Sequence, residues 1–168
     1  MRYLARYATT EAGVRAVLNR RIDRWARATA AETEAIAPLK QAAREIAARL
    51  VATGLIDDTD YAQTRAAGLL RSGRSSRAVA AKLAAKGIGA AQARVALPDD
   101  PDVELHSALV LARKRRIGPF RRGETPDLVG KRKEMAMLAR AGFPQAIAAR
   151  ALAMEADEAE ARIVAFRR

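Results

Sequence analysis

Asp57–Leu97 reads DDTDYAQTRAAGLLRSGRSSRAVAAKLAAKGIGAAQARVAL, and its punctuation decides the fold class. Tyr61, Ala62, Ala66, Leu69 and Leu70 recur at the spacing of one helical face. Val79, Ala80 and Leu83 repeat that spacing after Ser-Gly-Arg-Ser-Ser, with Arg77, Lys82 and Lys86 on the outer side. A third, shorter helix starts at Gly89 and ends near Leu97. Asp57 or Asp58, and later Ser75 or Ser76, supply side-chain oxygens that can cap the free amides of a first turn. Gly73 and Gly87 stand where left-handed backbone ends a helix. The stretch therefore predicts three short helices in succession.

Upstream, Tyr3, Leu4 and Tyr7 make a short apolar patch, and Thr9 or Thr10 can cap a helix beginning near Glu11. Val14, Val17, Leu18, Ile22 and Trp25 form its apolar stripe. The pattern frays through Ala28–Ala37, and Pro38 is expected to stop or restart the helix. Leu39, Ala43, Ile46 and Leu50 then mark an amphipathic helix that ends at a left-handed Gly54. Downstream, Pro98-Asp99-Asp100-Pro101 combines helix breakers with capping acids and is the clearest linker. A helix over Asp102–Arg116 follows, then the basic loop Ile117–Glu124, then a helix started by Thr125-Pro126. Gly142-Phe143-Pro144 leads into a short helix with Ile147, Ala151 and Leu152, and Met154–Arg168 forms a helical tail. No strand pattern survives, so the chain reads as all-α.

Composition agrees. The 168 residues are 50% hydrophobic but only 4% aromatic, which predicts several modest cores of small side chains. The net charge of +12 is unevenly placed. Residues 65–150 carry 18 basic against 7 acidic side chains, whereas 1–64 carry 10 against 8 and 151–168 carry 3 against 4. A cationic middle favours polyanionic partners through counterion release and long-range attraction; its bland counterpart is a solvated Arg-rich surface. Cys is absent, which excludes disulfides and thiolate metal sites. No apolar run reaches about 18 residues, and the N-terminus lacks the apolar stretch of a secretory signal, so a soluble intracellular protein is expected.

One pattern recurs. Leu83, Gly87, Ile88 and Leu97 match Leu138, Gly142, Phe143 and Leu152 in register. Leu anchors a middle helix, Gly permits the left-handed turn, and Ile or Phe pins the next helix. Residues 1–56 carry a degenerate copy without the Gly turn. The boundaries expected are 1–56, 57–98 and 99–153 for three three-helix units, with 154–168 as the tail.

At Gly54-Leu55-Ile56-Asp57-Asp58, Tyr61-Ala62, Arg71-Ser72-Gly73-Arg74-Ser75, Ala81-Lys82-Leu83, Lys86-Gly87-Ile88 and Arg140-Ala141-Gly142-Phe143 the chain resembles the RecX family, bacterial regulators of the RecA recombinase. The resemblance implies tandem three-helix, helix-turn-helix-like repeats in an elongated right-handed array lying along the groove of the RecA–DNA filament. It implies inhibition of the recombinase ATPase, filament extension and strand exchange, and with it a role in DNA recombination, repair and the SOS response. It implies no cofactor and a cytoplasmic location. A monomer is the simplest state for such an array.

The residues expected to contact partner or DNA are the cationic ones: Arg71, Arg74 and Arg77 about the Ser-Gly-Arg-Ser-Ser turn, Lys82 and Lys86 beyond it, and Arg113, Lys114, Arg115, Arg116, Arg121, Arg122, Lys131, Arg132 and Lys133 in the third unit. Arg can hold carboxylate or phosphate through two parallel hydrogen bonds. Asp57, Asp58 and Asp60 lack the Gly turn and distal Glu of a calcium loop and read as helix caps. His106, the only His, has no Cys, Ser or second His to form a triad or zinc site. Gly87-Ile88-Gly89 lacks the Lys-Ser/Thr of a phosphate loop. Among Trp25, Tyr61, Phe120 and Phe143, Tyr61 and Phe143 fit core positions, which leaves Phe120 in its basic loop as the candidate for base stacking. With no catalytic constellation, an enzyme is not expected. A helix-turn-helix DNA-binding transcriptional or architectural protein is the alternative to a filament regulator.

Overall fold

The computed structural model describes residues 9–124 and 126–166. Tyr3, Leu4, Tyr7 and Thr125 lie outside them. The described residues form nine α-helices and no strand: α1 Glu11–Thr29, α2 Thr33–Ala52, α3 Asp58–Arg71, α4 Ser76–Ala84, α5 Ala90–Ala96, α6 Pro101–Arg115, α7 Leu128–Arg140, α8 Gln145–Ala153 and α9 Ala156–Phe166. A short 3-10 turn over Gly118–Phe120 sits between α6 and α7. The helices begin where short oxygen-bearing side chains take up free amides. Thr10, Asp57, Ser75, Asp100 and Asp127 each accept from a first-turn N–H.

Three cores follow one another along the chain. Val14, Ala47 and Ile56 join α1 to α2, with Leu18 and Leu50 against them. Ala62, Ala66, Leu70, Val79, Leu83, Ile88 and Ala93 knit α3, α4 and α5 together. The third is the largest, built on Leu105, Leu109, Ile117, Leu138 and Phe143, and α9 lays Ala159 and Ile163 into it. The recurring pattern has a common structural meaning. Leu83 and Leu138 are fully buried, Ile88 and Phe143 nearly so, and Gly87 and Gly142 have φ of 84° and 93°.

Four local expectations are corrected. Pro38 does not interrupt a helix: it lies inside α2, and the break comes earlier, at left-handed Ala30 with φ 47°. The long packing of α2 along α1 offsets the amide that proline lacks. The face of α2 that packs is Ala43 and Ala47, which let the two helices approach closely, so Leu39 and Ile46 point to solvent. Trp25 also faces out, because Ala26 occupies the inward position. Helix α7 starts at Leu128 under an Asp127 cap, so Pro126 precedes its first turn.

Candidate functional site

The Ser-Gly-Arg-Ser-Ser turn is a structural joint. Gly73 has φ 82°, and a Cβ there would stand 2.9 Å from the Leu111 backbone nitrogen, so only glycine lets the turn lie directly on α6. Ser75 is fully buried. Its hydroxyl accepts from the Ala78 amide and donates to the Ala141 carbonyl at 2.7 Å, at the end of α7. The Ser76 amide and hydroxyl both donate to the Glu104 carboxylate, at 2.9 and 2.6 Å. Ser107 donates to the Leu70 carbonyl at 3.1 Å, and the Lys114 ammonium to the Ser72 carbonyl at 2.8 Å.

The same device occurs upstream, at the start of α1. The Thr10 hydroxyl accepts from the Gly13 amide and donates to the Lys86 carbonyl at 2.6 Å. The Glu11 amide donates to the Asp58 carboxylate at 2.9 Å. A Cβ on Gly87 would collide with Ala12, just as one on Gly142 would meet Ser75 and Arg77. In both joints a capping hydroxyl reaches the carbonyl before a left-handed glycine. In both, the next residue's amide finds a carboxylate, and the residue after that lies against the glycine.

The second joint gathers positive charge. A cleft of about 560 Å³ is lined by Ser72, Gly73, Arg74, Leu111, Lys114, Arg115, Met137, Arg140 and Ala141. Four of these side chains are cationic and none is acidic. Lys114 is held in place by the Ser72 carbonyl, which caps the C-terminal end of α3, where the helix dipole favours a cation. Such a wall of like charge beside low-dielectric protein concentrates positive potential and attracts anionic groups.

The expected contact residues thus separate. Arg74, Lys114 and Arg115 converge on the cleft. Arg77 is exposed beside it, its stem over Gly142. Arg71 is exposed at the end of α3, and Arg116 is exposed just after α6 in left-handed backbone. Lys82 and Lys86 lie on and after α4, and Lys86 lines a second recess with Arg20 and Tyr61 at the first joint. Arg122, Lys131, Arg132 and Lys133 are exposed but do not line the cleft. Arg113 is paired with Glu160 at 2.6 Å. Arg121 holds Glu134 through two hydrogen bonds, and the same carboxylate accepts from the Gly118 amide. Phe120, the residue expected to stack on bases, is partly buried and packs against the third core. His106 stacks on Phe166 with ring centroids 4.8 Å apart. Among the described residues no group of His, Asp or Glu is placed to hold a metal ion, and no helix is long and apolar enough to cross a membrane.

Sequence reasoning left Arg140 and Arg20 off its set of contact residues. Arg140 precedes the Ala141-Gly142 turn, so a signal for it was the same turn that marks the joint. Arg20 is one cation among several on α1 and carries no such mark.

No family model matches the chain, and no solved structure does. Three curated proteins named "Regulatory protein RecX" do. That of Myxococcus xanthus is 39% identical over 151 residues, covering 88% of this chain and 79% of the relative. That of Agrobacterium fabrum is 44% identical over 105 residues, covering 62% and 55%. That of Mycobacterium leprae is 41% identical over 104 residues, covering 58% and 57%. Built as a capped, glycine-punctuated succession of helices and matched to a relative over most of both lengths, the chain belongs to the RecX family of regulatory proteins.

Proposed function

We propose that this chain is a non-enzymatic regulator that binds the RecA recombinase filament on DNA and inhibits its ATPase, filament extension and strand exchange. The cationic cleft at the second joint is the observation that carries this reading in a chain of this family. It presents Arg74, Lys114, Arg115 and Arg140 together, with no carboxylate among its lining residues. Phosphate oxygens or an acidic protein surface would meet charge-assisted donors there. The joint hydrogen bonds hold both walls in register, so the side chains are presented at little entropic cost. The protein acts as a monomer in the cytoplasm, without a cofactor.

The test is recombinase ATP turnover on single-stranded DNA, with the chain added at substoichiometric ratios. Turnover should fall, and Arg74→Ala/Arg140→Ala should blunt the effect. Unchanged turnover at saturating chain would refute the reading. A tight, sequence-specific duplex complex formed without recombinase would establish the alternative, a helix-turn-helix DNA-binding factor.

A further inference from the structure

The two closed joints show what the start of a middle helix does in this fold, and α7 is the place where nothing of this chain does it among the described residues. At α1 and α4 the cap is a hydroxyl, Thr10 or Ser75, which accepts from its own helix and donates to a carbonyl of the next unit. The α7 cap is Asp127, whose carboxylate already accepts from the Gly130 amide at 2.7 Å. An ionised carboxylate cannot donate, so a third joint of the same kind is chemically blocked. The two residues after the cap are buttressed at the closed joints, as Glu11 and Ala12 or Ser76 and Arg77. At α7 they are Leu128 and Val129, which are 76% and 56% exposed. Leu128 is the most exposed large apolar side chain among the described residues.

The surroundings of this pair identify the kind of partner. On a helix, residues three and four apart are surface neighbours. Leu128 is therefore flanked by Lys131 and Arg132, and Val129 by Arg132 and Lys133, all three of them exposed. At each closed joint, moreover, the amide after the cap receives a carboxylate, Asp58 or Glu104. The face thus offers an aliphatic pair beside its capping Asp127, three cations on the next turn and a backbone position that elsewhere in the molecule takes a carboxylate. A nucleic-acid backbone would match the charge but leave the aliphatic pair in water. We propose that Leu128 and Val129 anchor this chain to an acidic protein surface with an apolar recess, supplied by the protein component of the filament. The contact is separate from the cationic cleft, and it rests on the function proposed above.

The experiment measures binding of the full chain to recombinase filaments on single-stranded DNA, and in parallel to the bare single-stranded DNA. Leu128→Ser/Val129→Ser should bind filaments at least tenfold more weakly and bind bare DNA as the unsubstituted chain does. Both positions are exposed, so its thermal melt should be unchanged. Filament binding equal to the unsubstituted chain overturns the proposal but leaves the function standing, provided the chain still inhibits. Equal weakening on bare DNA makes the face a nucleic-acid contact and also overturns it. So does an unsubstituted chain that self-associates in solution where the variant is monomeric, since the occupant is then a second copy. An unsubstituted chain that neither binds filaments nor lowers ATP turnover removes both the anchor and the function.

Discussion

Replacing Ser75 with Ala tests whether the joints, as much as the cores, hold this molecule together. Ser75 is fully buried and its hydroxyl works twice, capping α4 and donating to Ala141 across the joint. Loss of a serine cap costs about 0.5–2 kcal/mol. Leaving the Ala141 carbonyl without its donor adds about 1–3 kcal/mol. Because both losses fall on one atom, a sum of roughly 2–4 kcal/mol is expected. For a chain of this length, each kcal/mol lowers the melting temperature by about 2–4 °C. The drop should therefore be about 5–15 °C, read by circular dichroism and checked by urea unfolding. Ser75→Asp separates the two roles. Aspartate caps a helix well but cannot donate to a carbonyl, and here its charge would be buried. It should be at least as destabilised as the alanine variant. A Ser75→Ala protein within about 0.5 kcal/mol of the original would refute the reasoning, as would full rescue by aspartate.

Gly87→Ala puts a Cβ on left-handed backbone, where it collides with Ala12. A loss of at least about 1–2 kcal/mol is expected in urea unfolding. Arg121→Ala removes both hydrogen bonds to the partly buried Glu134. It should cost about 1–2 kcal/mol of stability while leaving the salt dependence of oligonucleotide binding unchanged, which marks Arg121 as structural. Arg74→Ala/Arg140→Ala should leave the melt nearly unchanged. It should flatten the slope of log affinity for single-stranded DNA against log salt by about 0.7 per lost phosphate contact, and an unaltered slope would remove the cleft from the binding surface.

The helices were legible because their signals are local. The Thr, Asp and Ser caps and the left-handed glycines fall where the residue types require them, and Leu83 and Leu138 occupy the core positions their spacing assigns. Pro38 does not follow its local rule because a missing amide acts locally, whereas the packing of α2 on α1 is tertiary. The spacing of large apolar residues misplaces Ile46 and Trp25, because alanines define the inward face here. The cationic surface was legible as charge but not as geometry. Nothing in the sequence separates Arg113 and Arg121, held by Glu160 and Glu134, from Arg74 and Arg115, which line the cleft. The carboxylates that hold them are distant along the chain or lie on another helix, and pairing of that kind has no sequence period.

The small size of the buried side chains explains why polar contacts sit where the three cores meet. The first core rests on Val14, Ala47 and Ile56, and alanines fill much of the other two. Such cores bury little apolar area apiece, and a small core of this kind is marginal by itself. Alanine faces are also smooth, so they set the distance between helices more firmly than their register. Directional hydrogen bonds from Thr10, Ser75 and Ser76 supply that register, because a shift of one residue leaves buried donors and acceptors unpaired. The residues that fix the joint therefore also fix the spacing of Arg74, Lys114 and Arg140 around the cleft. A change at Ser75 or Glu104 should alter recognition even though neither side chain lines the cleft.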